Sequence, residues 1–209
     1  MKKRDYKNSA EGTFVHVYNR GNNREKIFHD EKDYKAFAFR VGLALGIERE
    51  TLQKEDLLSF PHSRIRINAG ADLFKLHSFC LMPNHFHLLI EQCGETEIAK
   101  IISQISTSYA MYLNKKYHRV GHVFQERYKA VVIESDPQLL WTSSYIHMNP
   151  VKANIVKHPG EYTWSSYQDF TKKRNLPIIH TDFLLPMFGA KDFEKETLAL
   201  FLKSEESPY

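Results

Sequence analysis

LFKLHSFCLMPNHFHLLIEQ, residues 73–92, reads as two β-strands folded back on each other. Residues 73–81 and 85–92 are rich in aliphatic and aromatic side chains, as strands are. Met82-Pro83-Asn84 between them is short and turn-forming, because proline pre-sets φ and asparagine tolerates turn conformations. An antiparallel hairpin is therefore expected. In its second strand His85 and His87 alternate with Phe86, Leu88 and Ile90. Successive strand side chains point to opposite faces, so both imidazoles share one face and the apolar residues the other. Two such imidazoles can chelate one divalent metal, or be half-buried histidines satisfied by backbone carbonyls. A Met-Pro-Asn turn running straight into the pair, followed by Leu-Leu-Ile, is a rarer string than the bare pair and favours the metal.

Outward from the hairpin, residues 13–19 (TFVHVYN) read as a strand and 20–24 as a turn-rich basic loop, whose Arg20, Asn22 and Arg24 suit phosphate. Asp30 caps a helix over 31–47, with Tyr34, Phe37, Ala38, Val41 and Leu45 at helical spacing. Residues 48–71 are polar and read as an insertion, with a short strand at 64–67. The strongest helix is 95–116, where Ile98, Ile101, Ile102, Ile105, Tyr109, Tyr112 and Leu113 form one apolar face. A strand is expected over 123–134. A further helix starts at Ser135 or Asp136 as N-cap, with Pro137 in its first turn and Gln138 completing a capping box, and Pro150 stops it. This order predicts an α+β fold: an antiparallel sheet with helices on one face. Residues 1–170 form the expected domain, and 171–209 an extension of loop and helix (192–202) ending in an acidic tail.

The 209 residues carry a net charge of +4 and 11 histidines. Residues 182–209 hold six acids against three bases, which leaves +7 on the rest. A basic body rich in aromatic rings suits a polyanionic partner. No apolar run approaches the ~18 residues a membrane span needs, and 36–47, the longest, contains Arg40. The basic N-terminus lacks the apolar segment of a signal peptide. Cys80 and Cys93 make neither a disulfide framework nor a CxxC zinc site, as expected for a reducing cytoplasm.

Two further groups of residues suggest chemistry. Tyr145 and Asn149, four apart, stack on one helix face with Trp141 a turn earlier. Such a tyrosine is either an ordinary amphipathic surface residue or, beside a metal-polarised phosphate, a nucleophile. Asn149 offers a hard carbonyl oxygen that completes a His-His-Asn donor set. The stretch 115–129 interleaves Lys115, Lys116, Arg119, Arg127 and Lys129 with aromatic rings, including Phe124 beside Gln125. Cations and rings in alternation suit a single nucleic-acid strand; a charge-guarded edge strand is the alternative.

Taken in order, Val17-Tyr18-Asn19-Arg20-Gly21, the run from Leu81 to Leu89, the run from Gly121 to Lys129, the run from Tyr145 to Ala153, and Tyr162-Thr163-Trp164-Ser165-Ser166 resemble the single-tyrosine HUH transposases, in particular the REP-associated tyrosine transposases. The resemblance covers roughly residues 13–167. It implies a ferredoxin-like or RRM-like sheet and a single-stranded DNA partner, often beside an imperfect hairpin. It implies Mg²⁺ or Mn²⁺ on His85 and His87 with Asn149 as third ligand, and attack by Tyr145 giving a 5′-phosphotyrosine and a free 3′-hydroxyl. The unit is a monomer or a homodimer. Residues 48–71 are longer than a minimal member needs, and 182–209 have no counterpart. A hairpin-binding protein with a weakened active site is the alternative function. A hydrolase with metal-activated water is a third, but it lacks the further His or carboxylate ligands usual for zinc.

Overall fold

The computed structural model describes residues 11–57, 72–189 and 192–205. The hairpin forms from β2 (Phe74–Met82) and β3 (His85–Gln92), with Met82 opposite His85 across the Pro83-Asn84 turn. β1 (Thr13–Arg20) pairs antiparallel with β3, and β4 (Lys129–Val132) with β1, so the sheet runs β2-β3-β1-β4. Helix α1 (Glu31–Ala44) links β1 to β2, and α3 (Ile98–Lys116) links β3 to β4. Each connection skips one strand, which interleaves the two halves into a ferredoxin-like sheet.

Alternation along the central strands builds two cores. Val15 and Val17 of β1 and Phe86, Leu88 and Ile90 of β3 face α1 and α3, where Phe37, Val41, Ile102 and Ile105 meet them. On the other face Cys80, Met82 and Leu89 pack against Leu139 and Ile146 of α4 (Asp136–Lys152). Residues from α5 (Tyr167–Phe170), α6 (Leu184–Met187) and α7 (Phe193–Glu205) complete this second core. The helix pair α1 and α3 thus lies on one face as expected, while α4 to α7 add a layer on the opposite face. The register of β2 shifts between Leu76 and Ser78, which makes His77 the extra residue of a bulge. Beyond it Ser78 turns toward α4, and its hydroxyl lies 2.7 Å from that of Ser143, both fully buried. Two small side chains let α4 sit close against the sheet.

Several boundaries differ from expectation; α3 starts at Ile98 rather than 95, and α7 runs on to Glu205 rather than ending at 202. β4 is four residues long rather than spanning 123–134. Val123 and Tyr128 both turn into the first core, and residues five apart cannot share a face of a regular strand. The backbone there bonds to the first loop instead, Asn22 N–H to the Val123 carbonyl at 2.8 Å and Gln125 N–H to the Arg20 carbonyl at 3.0 Å. Helix α4 runs through Pro150 to Lys152. A proline one turn from the end forfeits a single helical bond, and Asn154, at φ 55°, ends the helix instead. Helix α1 stops at Ala44, short of residue 47, where Gly46 takes φ 81°. Within 48–71, α2 (Arg49–Lys54) buries Leu52 in the first core; the strand expected at 64–67 lies outside the described residues. Among the described residues no helix is long and apolar enough to cross a membrane.

Candidate active site

The alternation that buries Phe86 and Leu88 turns His85 and His87 toward α4, with ring centroids 5.1 Å apart. Each ring is held through Nδ1. His85 Nδ1 lies 2.6 Å from Asn84 Oδ1. The Asn84 amide nitrogen donates to the Arg24 carbonyl, which fixes which side is oxygen. His85 therefore donates from Nδ1 and keeps its Nε2 lone pair. His87 Nδ1 lies 2.9 Å from His16 Nε2 on the neighbouring strand. Burial lowers the pKa of His85 to about 4, helped by the Arg20 cation. Burial also holds His87 well below its ordinary value, with His16, His85 and Arg20 adding to the effect. Both rings are neutral near pH 7, the form that binds metal.

Opposite them stands α4. Ser135 caps it, accepting from Gln138 N–H, and the Gln138 side chain reaches back to Glu134 N–H. Two turns on, the Tyr145 ring meets His87 edge to face at 5.6 Å and 90°, and Trp141 stacks on its other side at 5.3 Å and 13°. The Asn149 amide nitrogen donates to the Tyr145 carbonyl at 2.8 Å, which leaves Oδ1 as the side chain's ligand atom. His85, His87, Tyr145 and Asn149 line a cleft of about 430 Å³, bordered by Tyr18, Arg20, Gln125, Glu126, Arg127, Lys129 and Lys152. Among the described residues no group of three or more His, Cys, Asp or Glu could hold a metal. The carboxylate residue Glu126 and the amide residues Asn19 and Gln125 also line the cleft. The donors proposed for an ion are the two imidazoles and the Asn149 amide oxygen. That mixed set fits a divalent ion that accepts both nitrogen and oxygen, with open positions left for substrate.

The model of the family described as transposase, IS200-like, matches residues 10–149, from just before β1 to Asn149. The chain belongs to this family. A Haemophilus influenzae protein described as a REP-associated tyrosine transposase is 25% identical over an alignment of 114 residues that covers 50% of this chain and 65% of that protein. The chain thus spans less than two thirds of that relative's length. A solved REP-associated tyrosine transposase, bound to a REP hairpin, superposes with a TM-score of 0.59 at 18% identity and covers 92% of both chains. A Deinococcus radiodurans protein described as a transposase covers 70% of this chain and 95% of its own, at 16% identity and a TM-score of 0.37. The hairpin-bound structure shares the fold, and its coverage reaches beyond the family match into the C-terminal layer.

The residues expected to meet nucleic acid divide by location. Arg20, Gln125, Arg127 and Lys129 line the cleft. Asn22 and Arg24 are exposed in a short 3₁₀ turn beside the hairpin tip, and Lys115 is exposed on α3. Lys116 lies 2.7 Å from both Asp30 and Asp33, and Arg119 2.9 Å from Glu25. Phe124 packs on the first core and borders a groove on the α3 side of 121–127. His147 points away from the cleft into the second core, 2.8 Å from the Ser166 hydroxyl. Gly21 closes the loop under the hairpin tip, donating to the Asn84 carbonyl. A Cβ there would lie 2.2 Å from the Glu25 carbonyl oxygen, so only glycine fits. Sequence reasoning missed His16 and Tyr18. The signal was present: both alternate with Val15 and Val17, which places them on the face of the histidine pair once β1 and β3 are neighbours.

Proposed function

We propose that this chain is a divalent-metal-dependent endonuclease and strand transferase that acts on single-stranded DNA beside an imperfect hairpin. The observation that carries the reading is the Tyr145 ring set edge-on to His87 in one cleft with His85, Asn149 and several cations. His85, His87 and Asn149 would hold Mg²⁺ or Mn²⁺, which when bound polarises a phosphate oxygen and stabilises charge at phosphorus. The Tyr145 oxygen attacks that phosphorus, and the bond to the 3′-oxygen breaks, giving a 5′-phosphotyrosine and a free 3′-hydroxyl. The phenol gives up one proton to water and the 3′-oxygen takes one up. The phosphodiester energy stays in the tyrosine ester, so another 3′-hydroxyl can reverse the step and join a different strand. His147 is unsuited as base, being buried on the far side of the helix. Arg20, Gln125, Arg127 and Lys129 align the strand along the cleft.

A single chain holds Tyr145, both histidines and Asn149 in one cleft, and the acting unit is a monomer or a homodimer. The hairpin partner rests on the likeness to the hairpin-bound transposase and on the basic body of the chain. The test is a denaturing gel of labelled hairpin-bearing single strands from the flanks of the chain's own gene. Wild type and Tyr145→Phe are run with Mn²⁺, with Mg²⁺ and with chelator. A metal-dependent adduct on the 5′ side of the break, absent in the variant, is expected. An adduct surviving in Tyr145→Phe overturns the nucleophile. Hairpin binding with no cleavage under either metal replaces the enzyme by a binding module.

A further inference from the structure

His16 lies directly behind His87. It sits on β1 opposite Leu89, two pairs along from Tyr18 opposite His87 and on the same face of the sheet. The imidazoles of His16 and His87 stack at 5.1 Å and 24°, and the His16 ring also contacts Tyr18 at 5.1 Å. Both histidines are under a tenth exposed. The 2.9 Å contact between His16 Nε2 and His87 Nδ1 therefore works where water scarcely competes.

A neutral imidazole has one N–H and one lone pair, so this contact runs in one of two directions. If His16 donates, His87 spends its lone pair on His16 and turns an N–H toward the cleft, where it cannot bind metal. If His16 accepts, His87 carries its proton on Nδ1 and presents a bare Nε2. Arg20 lines the same cleft, and a cation there favours a bare nitrogen over a second donor. His85 is already held in the corresponding tautomer by Asn84. A metal-ligating histidine is characteristically held this way, by an acceptor on its second nitrogen.

We propose that His16 is a positioning residue that accepts the Nδ1–H of His87, locks its tautomer and ring orientation, and so presents Nε2 to the divalent ion. In relation to metal this rests on the function proposed above, whereas the tautomer does not depend on any metal. The experiment therefore has two arms on the full chain. Long-range ¹H–¹⁵N spectra of metal-free protein, assigned with His16→Gln and His87→Gln, report which nitrogen of His87 is protonated. A protonated Nδ1 is expected, with a mixed tautomer in His16→Phe. A protonated Nε2 in the wild type overturns the proposal.

The second arm titrates Mn²⁺ by electron paramagnetic resonance. His16→Phe keeps the ring packing but cannot accept, and weakens Mn²⁺ binding about 10- to 100-fold. His16→Gln offers a side-chain oxygen acceptor and recovers most of the affinity. Melting temperatures of both variants separate this effect from misfolding. Equal Mn²⁺ affinity in wild type and His16→Phe, or equal loss in the Phe and Gln variants of intact fold, overturns the positioning role. No Mn²⁺ binding by the wild type with His87 protonated on Nδ1 overturns the metal reading and supports the His16 contact.

Discussion

Lys116 stands in the basic stretch and reads as a phosphate contact, yet the structure sets it a structural task. Its ammonium meets Asp33 at 2.7 Å, a carboxylate with no exposed surface, and Asp30 at 2.7 Å, whose side chain is half exposed. Asp33 also accepts from Tyr112 O–H at 3.0 Å, Tyr117 O–H at 2.9 Å and His29 N–H at 2.8 Å. Replacing Lys116 by Met removes the only cation paired with the buried Asp33 carboxylate among the described residues, which then keeps neutral donors. The exposed Asp30 end contributes about 0–1 kcal/mol. The buried end is a charge-assisted bond worth roughly 1.5–3 kcal/mol. Lys116→Met should therefore cost about 2–4 kcal/mol in urea unfolding, or roughly 4–16 °C in Tm for a chain this long. Lys115→Met, exposed one residue earlier, should stay within about 0.5 kcal/mol. Hairpin binding by folded Lys116→Met should keep the wild-type salt dependence. A Tm unchanged within about 2 °C, together with a shallower salt slope, would refute this reasoning and return Lys116 to the DNA.

Arg127→Ala and Lys129→Ala should each weaken hairpin binding and reduce the salt slope by about 0.7 in fluorescence anisotropy, if each neutralises one phosphate of a single strand. Trp141→Ala removes the ring stacked on Tyr145; single-turnover gels should show slower adduct formation with hairpin affinity within about twofold of wild type. Ser143→Ala strands the buried Ser78 hydroxyl and should cost about 1–3 kcal/mol in chemical denaturation. Gly21→Ala drives a Cβ against the Glu25 carbonyl, so limited proteolysis should cut the 20–28 loop faster while the helix signal in circular dichroism persists.

What was legible in the sequence was local. The hairpin, the shared face of His85 and His87, and the shared face of Tyr145 and Asn149 follow from periods of two and 3.6 residues, and each stands as expected. The opposite-face layer was not legible from element order, although Leu89 hints at it by being apolar on the same side of β3 as the histidines. Asp33 could not be linked to Lys116 and Tyr117 because more than 80 positions separate them. His16 and His87, 71 apart, are a similar case, yet here the core itself supplies the missing link. β1 pairs with β3 so that Arg20 lies opposite His85 and Val17 opposite Leu88. A slip by one residue would turn Val15 and Val17 into the polar cleft and His16 into the apolar core. Fully burying each valine is worth about 1.5–3 kcal/mol, and burying an imidazole there without a hydrogen bond costs a comparable amount more. The burial that selects the register therefore also brings His16 to the back of His87, so core packing and the proposed ligand geometry are consequences of one choice.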